Sequence, residues 1–125
     1  MTIEVKTLLS AQSGLSANDP TFFNYGPQVT GAGYNKNNNC LHTVVLDLSA
    51  NWIGYLKIQA TLELYPGDND WFDTDISGDG SLVWGDFTTT NAAGLSTANI
   101  VGKFVWLRAA YNNQAGSINE IRYNY

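Results

Sequence analysis

Charge is scarce in this chain: 14% of its 125 residues are Asp, Glu, Lys or Arg, against about a quarter in ordinary soluble domains. The polar surface must therefore come from Asn, Thr, Ser, Gln and Gly, which suit close packing against neighbours or glycans. Basic charge is scarcest. The six cations Lys6, Lys36, Lys57, Lys103, Arg108 and Arg122 form no patch in sequence, and the net charge is −5 with a pI near 4.4. A phosphate backbone needs a basic footprint, so this balance argues against a nucleic-acid partner.

Cysteine and histidine are almost missing. One cysteine, Cys40, excludes an internal disulfide framework and reads as a small packed filler. One histidine, His42, added to it cannot assemble the usual zinc ligand sets within one chain. No apolar run approaches the ~18–20 residues of a membrane-spanning helix. The opening Met1–Lys6 lacks the charged-then-apolar layout of a secretory signal, so the chain is expected to be made and assembled in a cytoplasm.

Helix signals are nearly absent too. What is present is a series of β-branched and aromatic runs, separated by Gly, Asn, Asp and Pro clusters at the spacing of an all-β sandwich. The expected fold is a single antiparallel sandwich over 1–125, jelly-roll-like, with about eight strands and little or no helix. A chain of this length can bury a core without staples. Residues 55–65 alternate most clearly, with Leu56, Ile58, Ala60, Leu62 and Leu64 on one face until Pro66-Gly67 stops the run. Residues 43–48, 81–88 and 104–109 read as further strands. Residues 117–125 read as a closing strand, joined to the one before by a hairpin through Asn112–Gly116. Residues 7–14 read as a turn or edge strand, 21–39 and 91–99 as long loops. The first forty residues are either irregular or an arm reaching a neighbouring subunit.

One stretch carries candidate metal chemistry. Asp73, Asp75, Ser77 and Asp79 place oxygens at alternate positions, with Gly78 at the sixth, as a calcium loop requires. The twelfth position holds Trp84, not the bidentate Glu of an EF-hand, and no helices flank it. A solvated acidic turn between strands is the leading reading of this run, and calcium is the one cofactor its residues offer ligands to. Catalytic residues are not evident. The acids are mostly in turns, the serines lack a His/Asp partner at recognisable spacing, and Gly31-Ala-Gly33 opens no helix.

The aromatics point to contact and not to catalysis. Phe104, Trp106, Ile121, Tyr123 and Tyr125 read as core, because they sit in strands among apolar neighbours. Trp71 and Phe72, set among Asp and Asn beside a turn, read as exposed and available to carbohydrate or to a protein partner.

Residues 101–109, Val-Gly-Lys-Phe-Val-Trp-Leu-Arg-Ala, followed by 116–123, Gly-Ser-Ile-Asn-Glu-Ile-Arg-Tyr, resemble the closing strands of small β-sandwich virion proteins of tailed bacteriophages, those of cyanobacteria above all. An upstream run like Leu62–Trp71 recurs there as well, and the likeness spans about 43–125. The resemblance implies a non-enzymatic head decoration or cement protein, or a neck, tail or fibre part. It implies a homo-oligomer within the virion, whose partners are the major capsid protein or other virion proteins. It supplies no catalytic residue. The alternative of a different class is a lectin-like, carbohydrate-binding or adhesin module of similar fold.

Overall fold

In a computed structural model the described residues are 5–34, 40–76, 84–86 and 94–125. They form ten strands: β1 (Lys6–Leu9), β2 (Asn24–Tyr25), β3 (Val29–Thr30), β4 (Leu41–Leu48), β5 (Ile53–Thr61), β6 (Phe72–Asp73), β7 (Trp84–Asp86), β8 (Gly94–Val101), β9 (Trp106–Ala115) and β10 (Ile118–Asn124). The only helical piece among them is a 3-10 turn at Asp68–Asp70. The first sheet runs β1-β10-β4-β8. The second runs β2-β9-β5-β6, with β3 also on β9 and β7 also on β5. Every pairing is antiparallel. The fold is the all-β sandwich that the strand spacing predicts.

Alternation builds the core. On β4, His42, Val44, Leu46 and Leu48 point inward, and on β5, Leu56, Ile58 and Ala60 do. Leu107 and Ala109 of β9 and Ile118, Ile121 and Tyr123 of β10 meet them, with Trp52 fully buried at one end. At about 25 cal/mol per Å², each such large side chain contributes roughly 1.5–3 kcal/mol on burial.

Consecutive long strands cross from sheet to sheet, and this overturns the expected hairpin. β9 does not stop before Asn112 but continues to Ala115 in the second sheet, while β10 lies in the first. Gly116 makes the crossing. Its φ is +69°, a left-handed conformation that favours glycine, and a Cβ there would sit 2.9 Å from Trp52 Cα. The neighbouring Ser117 N–H donates to Ser49 Oγ at 2.9 Å, so the β9–β10 crossing is fastened to the β4–β5 crossing.

Asn112 and Asn113, expected in a turn, are fully buried strand residues. They hold the N-terminal segment. Asn112 Nδ2 donates to the carbonyls of Asp19 and Phe22 at 2.9 and 2.8 Å. Asn113 Nδ2 donates to Gln12 and Gly14 carbonyls, both at 3.3 Å, and its backbone exchanges bonds with Ser16. Residues 6–34 are largely irregular, but they are not a detached arm. Leu8 and Leu9 lie in the core, and β1 is an edge strand paired with β10.

Two further expectations fail for local reasons. The alternating face of β5 stops at Thr61, whose Oγ1 accepts from the Glu63 N–H at 3.1 Å and turns the chain outward. Leu62 and Leu64 are consequently exposed, at 62% and 50%. Residues 94–101 are a strand, not a loop. Ala98 and Ile100 alternate inward in the usual way, but apolar Leu95 and Val101 near its two ends face outward, which blurs the strand signal.

Candidate functional site

Because β5 and β9 alternate, each presents a second set of side chains on the outer face of the second sheet. The register pairs Thr61 with Trp106, Gln59 with Arg108, Lys57 with Ala110 and Tyr55 with Asn112. Trp106 is therefore not core. It shares a face with Arg108, and its indole N–H donates to the Leu64 carbonyl at 2.8 Å while Tyr34 packs on it with ring centroids 4.7 Å apart.

A polar chain crosses the middle of this face. Arg108 Nε donates to Gln59 Oε1 at 2.8 Å, Gln59 Nε2 donates to Asp73 Oδ1 at 2.9 Å, and Lys57 Nζ lies 3.2 Å from Asp73 Oδ2. Arg108 is clasped between aromatic rings, its guanidinium carbon 4.2 Å from the centroid of Tyr25 and 4.3 Å from that of Trp71. Partial burial lowers the Arg108 pKa from its ordinary value without approaching neutrality. Lys57 in turn sits 4.4 Å from the centroid of Phe23, which stacks on Tyr55.

Two open hollows flank the polar chain. One, of about 500 Å³, is lined by Gln28, Tyr34, Leu64, Tyr65, Pro66 and Trp106. The other, of about 530 Å³, is lined by Pro20, Thr21, Phe23, Tyr25, Tyr55 and Lys57. Tyr65 stands 90% exposed at the rim of the first.

The outer face of the first sheet is different. Leu41 pairs with Val101 and Asp47 with Leu95 across β4 and β8, all outward. Val101 is 72% exposed, Leu95 65% and Val5 66%. Val5, Val45 and Leu95 line a hollow of about 210 Å³ there, with Thr43, Arg122 and Asn124.

No known family, characterised protein or solved structure matches the chain. The likeness to virion proteins thus rests on the quoted residues alone.

The acidic run is only partly placed. Asp73 belongs to β6, with both carboxylate oxygens engaged by Gln59 and Lys57, and Asp75 is exposed. Asp79 lies outside the described residues, and among those described no three His, Cys, Asp or Glu side chains gather as a metal site. Phe72 is 42% exposed and packs edge-on to Phe104, with ring centroids 5.9 Å apart; Trp71 is half-buried under Arg108. His42 is buried between Phe104 and Tyr125, with Nε2 accepting the Ala32 N–H at 3.0 Å. That bond fixes the proton on Nδ1. Among the described residues no helix is long and apolar enough to cross a membrane.

Tyr25, Tyr34, Tyr65 and Arg108 escaped the sequence reading as a group, yet one signal was available. Residues 106 and 108 share a face in any strand, and a charged Arg108 facing solvent brings Trp106 out with it.

Proposed function

We propose that the chain is a non-enzymatic structural protein of a tailed-phage virion, acting as a decoration or cement protein on the capsid. The observation that carries this reading is the outer face of the first sheet. Among the described residues β8 is an edge strand and bears no charged side chain; Val101 stands out from one end of it beside Leu41, and Leu95 from the other end beside Val5 and Val45. Natural edge strands are guarded by charge, proline or bulges, and an unguarded one is a template for another chain. Exposed apolar side chains along such an edge suit a protein contact.

Three further features support the reading. Residues 101–109 and 116–123 resemble the closing strands of virion proteins in sequence. Low charge permits close docking on a lattice. The crossings at Ser49 and Gly116 are bonded to each other, and the Asn112–Asn113 clamp ties down the N-terminal segment, which suits a part that must hold its shape on a particle. The partner is the major capsid protein, another virion protein or a second copy of this chain, and the site of action is the virion.

Quantitative mass spectrometry and electron cryomicroscopy of purified particles test this. The chain is expected in many copies at symmetry-related positions on the particle. Its absence from particles purified to homogeneity would contradict the proposal.

A further inference from the structure

The outer face of the second sheet points away from the docking face and has another chemistry. We propose that it binds an uncharged oligosaccharide, with the two aromatic hollows as separate subsites bridged by the clasped Arg108.

The lining of the first hollow selects the ligand class. Among the described residues its lining carries no charged side chain, and it combines Tyr34, Trp106 and the projecting Tyr65 with the amide of Gln28. A pyranose ring offers the matching surface: an apolar face of C–H groups to stack on a ring, and hydroxyls to exchange hydrogen bonds with a neutral amide or phenol. Among the described lining residues a charged ligand finds no counter-ion. In the second hollow Lys57, the one cation among the described lining residues, is occupied by Asp73 and Phe23.

The spacing selects an extended ligand. From Trp106 to Asn112, beside Tyr55, the strand rises over six residues, about 20 Å. That is the reach of a short oligosaccharide running from one hollow to the other across this face. Between the hollows the ligand meets Gln59 and the edge of the Arg108 guanidinium, whose two faces are covered by Tyr25 and Trp71. The rings are already placed. Trp106 is pinned by its bond to Leu64, and Phe23 by Tyr55 and Lys57, so little side-chain freedom is lost on binding. A globular protein would need a continuous apolar centre, and here the centre is polar and the aromatic groups lie at the ends.

The test is a neutral-glycan array probed with the full chain, followed by calorimetry with the best neutral hexaose, its disaccharide and a uronic-acid hexamer. The hexaose is expected to bind at least tenfold more tightly than the disaccharide, because two linked subsites act together. Tyr65→Ala should weaken hexaose binding about tenfold with an unchanged melting temperature, since the side chain is almost wholly in solvent. Tyr65→Phe should retain most of the affinity, and Tyr25→Ala, which unclasps Arg108 at the middle of the face, should also weaken the hexaose. The proposal is overturned if no neutral glycan binds, if hexaose and disaccharide bind equally, if the uronic-acid hexamer binds more tightly, or if Tyr65→Ala changes nothing.

Discussion

Trp52 and Asn113 meet inside the sandwich, where the indole N–H donates to the Asn113 amide oxygen at 2.9 Å and neither side chain reaches solvent. The same amide donates to the Gln12 and Gly14 carbonyls. One side chain thus ties the core to the N-terminal segment, and its loss leaves a buried N–H without an acceptor. An unsatisfied buried group costs about 1–3 kcal/mol, and the lost bonds add to it. Asn113→Ala is expected to destabilise the protein by about 3 kcal/mol in denaturant titration, and to speed amide exchange across residues 12–19. A loss under about 1 kcal/mol with unchanged exchange would mean that the clamp is incidental.

Acid should weaken the fold through His42. Burial lowers its pKa below the usual 6.5, because the charged ring would be desolvated. Protonation at Nε2 would also break the bond from Ala32. Stability is then complete above pH 6.5 and falls as the pH drops below it toward the folded-state value, since the unfolded chain takes up the proton first. Denaturation at closely spaced pH values from 8 to 5 should show this slope, and His42→Gln should flatten it. As the chain has one histidine, a slope that survives the substitution would assign the effect elsewhere.

Calcium should do little at Asp73. Its two oxygens are taken by Gln59 and by the Lys57 ammonium, which would repel a cation placed there. Millimolar calcium is expected to leave the melting temperature unchanged in the wild-type chain. A clear rise that disappears in Asp73→Asn would establish a site that the bonding around Asp73 argues against.

The sequence made the core legible where alternation was regular and polar residues marked the outer face. β4 and the first part of β5 are such cases, and Val44, Leu46, Leu56 and Ile58 lie where the period places them. It misled where a residue type stood for the wrong environment. Asn112 and Asn113 read as turn formers because asparagine tolerates turns, but here buried amides satisfy the carbonyls of a segment about 90 to 100 residues away, which no local pattern reveals. Trp106 read as core from its apolar neighbours, although the period places it beside Arg108. Leu95 and Val101 hid β8 by facing outward, and those outward side chains are what the proposed docking edge rests on.

The proposed docking edge carries the functional reading, and charge placed on it is the most direct test. Leu95→Lys and Val101→Lys alter side chains that are 65% and 72% exposed, so both variants should fold with wild-type melting temperatures. The decisive measurement is the copy number of each variant on particles assembled in a host lacking the wild-type chain. The account predicts that the double variant falls to a tenth of wild-type occupancy or below (about 1.4 kcal/mol of lost binding), while a control at exposed Tyr65 is incorporated normally. Full occupancy of the double variant would contradict it.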